Sequence, residues 1–434
     1  MKFTSQHFAI LGAGRSGLGA ARLARLHGAE VTIFDEGEKA GQVEDFKCVL
    51  GQPARDLVVK PGDFDLVIIS PGLDEHWPLP KKFTSTGVPL VGETEFAFGL
   101  TDMPMAAITG TNGKSTCTEL IAVLFNGCGQ KSIPCGNHGM SLSEVVASGA
   151  RYDVLACEIS SFQLETIRHF RAKAGLWLNF APDHLDRYPD MEAYFAAKAR
   201  IFENVTASDV AIVRAGETVS TGKARRWTFS AYGDEADYNY ANGTFYHAGR
   251  EIGSAANLKV RGKHNMENVL AALMTGRVFG LEFDSMLRAL ADYEVPRHRC
   301  ELIRTLADRE YINDSKATNL HALEACLRSQ ERPIVLIAGG KDKQLDYTPL
   351  RAELKGQVRA MVFIGEIAQE LEQTFGDLLP CKRGADMAEA VSFATQLSRP
   401  GDAIILSPGT SSFDMYTGYG QRGDAFRDAV NALN

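Results

Sequence analysis

The sequence predicts an α/β protein of three domains, each an open and mostly parallel sheet flanked by helices. Three observations predict it. Short aliphatic runs alternate with helical stretches along the chain, the pattern of parallel strands joined by crossover helices. Two of those runs enter glycine turns that open a helix, "GAGRSG" at Gly12 and "GTNGKST" at Gly110. The length of 434 residues exceeds what one hydrophobic core serves, and implies two to four domains of roughly 100–200 residues.

The first domain is read as residues 1–93. "HFAILGAG" makes a strand, "SGLGAARLARLHG" a helix stopped by glycine, "EVTIFDEG" a second strand and "DFDLVIISPG" another ending in a turn. The clustered β-branched and aliphatic residues suit strands buried on both faces. Three glycines after a strand, Gly12, Gly14 and Gly17, with Asp35 ending the next, make this domain Rossmann-like. Taken alone, that fingerprint predicts an NAD-linked oxidoreductase. A glycine turn at a helix start binds any diphosphate, however. Given a separate nucleotide loop downstream, it reads as a site for a diphosphate sugar nucleotide, lined also by Ser70 and Gly72.

The second domain, residues 94–297, opens with the strand "MAAITG", a loop, and the helix "STCTELIAVLFNGCG". "YDVLACEIS" and "AGLWLNF" are buried strands, "MEAYFAAKARIFENV" is helical, and residues 209–213 form a strand. Residues 225–250 read as a small antiparallel patch, and "HNMENVLAALMTGRVFG" as a helix. The third domain, residues 298–434, places strands at "PIVLIAGG", "AMVFIG" and "DAIILSPG" between helical stretches. Its alternation again implies a Rossmann-like sheet.

Composition excludes several classes. With 45% apolar and 23% charged residues the chain reads as globular, and no apolar run approaches the roughly 18 residues of a membrane span. A net charge of -8 argues against nucleic acid as a partner. The opening "MKFTSQHFAILGAG" reads as a first strand rather than a secretory signal. The eight cysteines form no C-x-x-C pair, so reduced thiols and a cytoplasmic location are expected.

The loop around Gly113-Lys114-Ser115 is a phosphate-binding loop shortened by two residues, since the first glycine stands at Gly110. A buried strand leads in and a helix leads out, which makes the central domain P-loop ATPase-like on a parallel or mixed sheet. Backbone N–H groups and the positive helix end then face a phosphate. Lys114 can reach the terminal phosphates, and the Ser115 hydroxyl can bind Mg²⁺. Glu158 ends a buried strand at the carboxyl edge, where ligand crevices lie. Asp183, His184, Asp186 and Arg187 crowd the same edge after the next strand.

Together, "GTNGKST", Glu158, "DHLDRY" and "HNMENVLAA" resemble the Mur ligases and folylpolyglutamate synthases. "NDSKATN" (Asn313 to Asn319) and "LSPGTSSFDMYTGYGQRG" narrow the resemblance to the Mur ligases that add glutamate, over essentially the whole chain. The resemblance implies ATP-driven amide formation between the alanine carboxylate of UDP-N-acetylmuramoyl-L-alanine and glutamate, expected as the D isomer. It implies an acyl-phosphate intermediate, two Mg²⁺ ions and a monomer with no membrane partner. Other members of the family, an L-glutamate ligase or folylpolyglutamate synthase among them, and a non-catalytic nucleotide-binding relative remain as alternatives.

The same resemblance assigns residues. ATP falls to Gly110, Thr111, Asn112, Gly113, Lys114, Ser115 and Thr116, with Asn268 at the adenine, Arg299 at a phosphate and Asp314 at the ribose. Ser115, Glu158 and His184 are expected to hold Mg²⁺, and Lys198 to do so as a CO₂-derived carbamate. Gly14, Arg15, Ser16, Asp35, Ser70, Gly72 and Asn137 fall to the UDP substrate. Lys316, Thr318, Lys343, Ser412 and Tyr419 fall to glutamate. The reacting groups are expected from Lys114, Asn137, His184, Lys198 and Lys316. The chain departs from familiar members at Arg15-Ser16, Glu36-Gly37, Gly409-Thr410-Ser411 and Thr417-Gly418, which bear on substrate selection.

Overall fold

A computed structural model describes residues 2–37, 46–184, 187–260, 262–294, 297–330, 332–343, 345–354 and 356–433. It contains three sheets, in two compact units. One unit comprises residues 1–259 and 265–293, the other residues 260–264 and 294–434.

The N-terminal sheet is formed by β1 (His7–Leu11), β2 (Glu30–Asp35), β3 (Lys47–Leu50), β4 (Leu66–Ile69) and β5 (Leu90–Gly92). All pair in parallel, in the order β3-β2-β1-β4-β5. That is the doubly wound arrangement, with its crevice where the order reverses beside β1. Phe8 and Ile10 of β1 enter one core cluster while Ala9 and Leu11 enter another on the opposite face. Burial on both faces is why β1 reads as an unbroken apolar run. The helix Arg15–Leu26 packs behind it through Gly17, Gly19, Ala20, Leu23 and Ala24. Gly17 is required by close approach, because a Cβ there would lie 1.9 Å from the Gly12 carbonyl oxygen.

The central sheet adds β6 (Met105–Thr109), β7 (Ser132–Gly136), β8 (Val154–Glu158), β9 (Ala174–Trp177), β10 (Val210–Arg214), β11 (Arg225–Ser230), β12 (Tyr238–Ala241), β13 (Thr244–His247) and β14 (Arg250–Ser254). Its order is β14-β13-β12-β11-β10-β9-β6-β8-β7. β6 therefore sits between β9 and β8, and the carboxyl ends of all three open on one edge.

The antiparallel patch expected at residues 225–250 is only partly so. β11 joins β10 in parallel, and β12 pairs with β11 in parallel through Phe229↔Tyr238 and Ser230↔Asn239. Only β12, β13 and β14 are antiparallel. Two tight turns dictate this: Asn242-Gly243 and Ala248-Gly249 all have positive φ, as two-residue hairpin turns of the right twist demand. The helix expected over residues 191–205 is α-helical from Met191 to Ala199 and tightens to a 3-10 turn at Arg200–Phe202.

The C-terminal sheet comprises β15 (Glu301–Leu306), β16 (Arg309–Asn313), β17 (Ile334–Gly339), β18 (Val358–Ile364), β19 (Cys381–Arg383) and β20 (Ala403–Leu406). Its order is β15-β16-β20-β17-β18-β19, parallel except for the β15–β16 hairpin at one edge. Ile334, Leu336 and Ala338 face one core cluster and Val335 and Ile337 the other. Each of the fully buried isoleucine, leucine and valine side chains contributes roughly 1.5–3 kcal/mol. Among the described residues no helix is long and apolar enough to cross a membrane.

Candidate active site

The carboxyl end of β6 carries the shortened glycine loop. The chain turns through Gly110 (φ +148°) and Gly113 (φ +84°) into the helix Lys114–Gly127. Gly113 is the N-cap in left-handed conformation, and a Cβ there would come within 2.5 Å of Asn268 Oδ1. Its missing side chain leaves the helix end open and brings Asn268 against the loop. No side chain caps this helix among the described residues, and the positive end of a helix is where an anion is favoured.

Asn179, just past β9, braces the loop. Its Oδ1 accepts from the Asn112 N–H at 2.8 Å, its Nδ2 donates to the Asn112 carbonyl at 3.1 Å, and its own carbonyl accepts from the Thr111 N–H at 3.0 Å. The Thr111 hydroxyl accepts from the Ala181 N–H at 3.0 Å. Lys114 Nζ donates to the carbonyls of Gly110 and Thr111, both at 2.9 Å. Ser115 is half-buried at the start of the helix, and Thr116 is buried beneath it.

Glu158, the last residue of β8, is buried, and its Oε1 accepts from Asn137 Nδ2 at 2.7 Å. The Asn137 N–H donates to the Glu158 carbonyl at 2.9 Å, so the two strand ends are tied twice. Glu158 Oε2 has no partner although it is buried. A buried carboxylate oxygen without a donor is costly unless a cation or donor arrives.

Lys198, on the helix Met191–Ala199, is 1% exposed and donates from Nζ to the Gly110 carbonyl at 2.8 Å. Burial, and secondarily the charge of Lys114, hold its amine well below the ordinary lysine range; Asp183 and Glu158 pull the other way. Its Nζ also stands 4.8 Å from the Tyr194 ring centroid.

His184 is exposed in left-handed backbone (φ +56°), uncommon for a residue with a side chain. Its ring meets Phe162 edge-on at 4.9 Å and Tyr194 at 5.9 Å, with Nε2 3.8 Å from Asp183. Arg187 pairs with Glu165 at 2.6 Å and lies over the Phe162 ring, the same ring that His184 meets edge-on. Asp186 lies outside the described residues.

In the N-terminal sheet, Asp35 shapes the glycine turn directly. One carboxylate oxygen accepts from the Ala13 N–H at 2.7 Å and the other from the Gly37 N–H at 2.8 Å. Gly14, Arg15 and Gly72 are exposed and Ser16 is half-buried, while the Ser70 hydroxyl is buried without a partner.

In the second unit, Asp314 follows β16 and accepts from the Cys300 N–H at 3.1 Å and the Ser407 hydroxyl at 2.9 Å. Burial outweighs those bonds and pushes its carboxyl up to about 6. Arg299 is half-buried, with Nε unpartnered. Lys316 Nζ lies 5.1 Å from the Tyr419 ring centroid, and Lys343 Nζ donates to the Thr318 carbonyl at 3.3 Å. Ser412 is buried on the loop after β20.

Two residues that hold these groups escaped the sequence reading. Asn179 is one. The other is Arg422, 0% exposed, whose guanidinium bonds the Ser315 carbonyl at 2.9 Å, the Thr410 carbonyl at 3.1 Å and the Ser411 carbonyl at 3.2 Å. Its Nε reaches the Ser315 hydroxyl at 3.1 Å and its Nη1 the Gly339 carbonyl at 3.5 Å. One planar fork thereby joins the loops that carry Lys316, Lys343 and Ser412.

Residues 108–276 match the Mur ligase middle domain, and residues 298–409 match the Mur ligase, glutamate ligase domain. The UDP-N-acetylmuramoylalanine–D-glutamate ligase of Trichlorobacter lovleyi is 38% identical over 447 residues, with all of both chains covered. That of Salinibacter ruber is 36% identical over 460 residues, covering 98% of this chain and 97% of the relative. Among solved structures, a pseudomurein peptide ligase type C from Methanothermus fervidus superposes with a TM-score of 0.64 at 16% identity, over 99% of this chain and 100% of that one. The MurF ligase of Thermotoga maritima in complex with ADP gives 0.60 at 13% identity, over 99% and 96%. At such identities the structures speak for the fold.

Proposed function

The chain belongs to the Mur ligase family, and from that premise we propose that it joins glutamate, as the D isomer, to UDP-N-acetylmuramoyl-L-alanine, driven by conversion of ATP to ADP and phosphate. The reaction belongs to cytoplasmic peptidoglycan precursor synthesis. The observation that carries this reading is the meeting, at one sheet edge, of the open helix end behind Gly113, the half-satisfied carboxylate of Glu158 and the buried amine of Lys198. We assign residues 1–93 to the UDP substrate, 94–297 to the nucleotide and 298–434 to glutamate, in a chain acting as a monomer.

The residues fit Mg²⁺. Glu158 Oε2 is a buried anionic oxygen lacking a partner, and Ser115, His184 and the buried Lys198 stand with it at the same sheet edge. A free ammonium at Lys198 would repel a cation, whereas a carbamate formed there from CO₂ offers oxygen ligands. The neutral amine that burial favours is the form that reacts with CO₂. Two Mg²⁺ ions held by Ser115, Glu158, His184 and carbamylated Lys198 would neutralise charge on the triphosphate.

The alanine carboxylate attacks the terminal phosphorus of ATP, and ADP leaves. Both partners are anionic, so positioning and positive charge carry the step. Lys114 and the backbone N–H groups at the start of the helix Lys114–Gly127 hold the phosphates, while Asn137 orients the carboxylate beside Glu158. The glutamate amine then attacks the acyl phosphate. The tetrahedral adduct loses phosphate, and the amine its extra proton, to leave the amide. Lys316, Lys343, Thr318, Ser412 and Tyr419 hold the dicarboxylate with cations and hydroxyls.

The test is phosphate release from ATP with Mg²⁺ and UDP-N-acetylmuramoyl-L-alanine, with D-glutamate, L-glutamate or neither. Release that requires D-glutamate supports the proposal. Release with L-glutamate alone overturns the stereochemical assignment, and silence under all conditions overturns the ligase reading.

A further inference from the structure

Cys300 and Cys326 have no part in the chemistry above. Cys300 is half-buried next to β15, and Cys326 is buried on the helix Leu320–Arg328. Their Sγ atoms stand 3.6 Å apart. With a carboxylate oxygen of Asp314 they form a set in which each donor atom lies within 4.8 Å of the other two. Two thiolates on one tetrahedral zinc, each bonded at about 2.3 Å, sit about 3.8 Å apart. The pair is therefore already at the spacing that a single ion spans. A disulfide would need the sulfurs to close to about 2.05 Å. Asp314 is fixed in place by the Cys300 N–H and the Ser407 hydroxyl.

We propose that Cys300, Cys326 and Asp314 form a site for one soft divalent cation of the Zn²⁺ or Cd²⁺ class, filled in competition with nucleotide. On binding, two S–H bonds are replaced by two metal–sulfur bonds, both protons pass to solvent, and no electron moves. Three protein ligands leave a fourth position open. Thiolates select soft ions over Mg²⁺, so the ion that serves the ligase reaction does not occupy this site. Competition follows because the family resemblance gives Asp314, alone of these three residues, to the ribose of the ATP that the proposed reaction consumes. That clause rests on the proposed function; metal binding itself does not.

The test titrates Cd²⁺ into the intact, reduced protein without nucleotide. It reads the thiolate-to-cadmium charge-transfer band and the bound metal by equilibrium dialysis. Wild type is expected to hold one more Cd²⁺ per chain than Cys326→Ala, with affinity weakened about tenfold or more in Cys300→Ser. Equal binding by wild type and Cys326→Ala would overturn the site. So would loss of two titratable thiols to a disulfide with no metal retained. In a second arm, Zn²⁺ should suppress ATP-dependent phosphate release by wild type, reversibly with a chelator, and spare Cys326→Ala. Cd²⁺ binding without such suppression overturns the competition. No phosphate release even before Zn²⁺ is added counts against the ligase reading and leaves the binding result standing.

Discussion

The Nζ of Lys198 donates to the carbonyl oxygen of Gly110 at 2.8 Å, joining a buried lysine to the first glycine of the phosphate-type loop. Burial keeps that amine out of the ordinary lysine range. As a carbamate it would present an anion where the proposed cations sit. Lys198→Ala is therefore expected to lower kcat on the order of a hundredfold, with a normal circular dichroism spectrum, and bicarbonate should not restore it. Wild type dialysed free of CO₂ should lose activity and regain it with bicarbonate. Full activity in Lys198→Ala would refute the carbamate.

Glu158 makes the complementary prediction. Its Oε2 is buried without a partner, so the carboxylate sits there at a cost to the unliganded protein. Glu158→Gln should reduce kcat about a hundredfold. The same change should leave the melting temperature of the unliganded protein unchanged or raised, the signature of a group kept for function. A lowered melting temperature with normal kcat would show that Glu158 is structural only.

Arg422 holds three loops with one guanidinium, and burial draws that guanidinium down to about 10. Lysine has no planar fork to replace it. Arg422→Lys is expected to destabilise the C-terminal unit by about 2–4 kcal/mol, because buried carbonyls lose their donors. In the fraction that stays folded, KM for glutamate should rise about tenfold, one lost good hydrogen bond, while KM for ATP stays within twofold. Equal changes in both KM values would mean that the arginine only supports the fold.

His264 is half-buried, with its Nδ1 buried and unpartnered, and the loss of water around the ring, with Arg299 beside it, lowers its pKa from 6.5 to about 4. Between those values the unfolded chain binds a proton that the folded chain refuses. Stability from this residue is thus full above pH 6.5 and falls as the pH drops towards 4. The loss is at most about 3 kcal/mol. In denaturant titrations, His264→Gln should flatten the stability profile across that window; an unchanged slope would contradict the assignment.

Much of the fold was legible because strands buried on both faces read as apolar runs: β1, β6, β8, β17 and β20 all do. β3 ("KCVL"), β5 ("LVG") and β7 ("SIPCG") carry a lysine, a proline or glycines in three to five residues, and too little pattern remains. Strand order is a tertiary property, so nothing local announced that β6 lies between β9 and β8. At the site, the residues grouped by motif, Gly110 to Thr116, Glu158 and Lys198, do come together. Lys198 sits in a helix whose sequence alone suggests an exposed lysine, and only packing against the loop buries it. Arg422 sits in the polar stretch "YGQRGDAF", and nothing local marks it as buried, because its acceptors come from three loops distant in sequence.

The most direct test follows the oxygen that the first chemical step moves. UDP-N-acetylmuramoyl-L-alanine carrying heavy oxygen in its alanine carboxylate would be turned over with ATP, Mg²⁺ and D-glutamate, and the released phosphate analysed by mass spectrometry. Attack of that carboxylate on ATP predicts one labelled oxygen in each phosphate. Unlabelled phosphate, with amide product still formed, would contradict it.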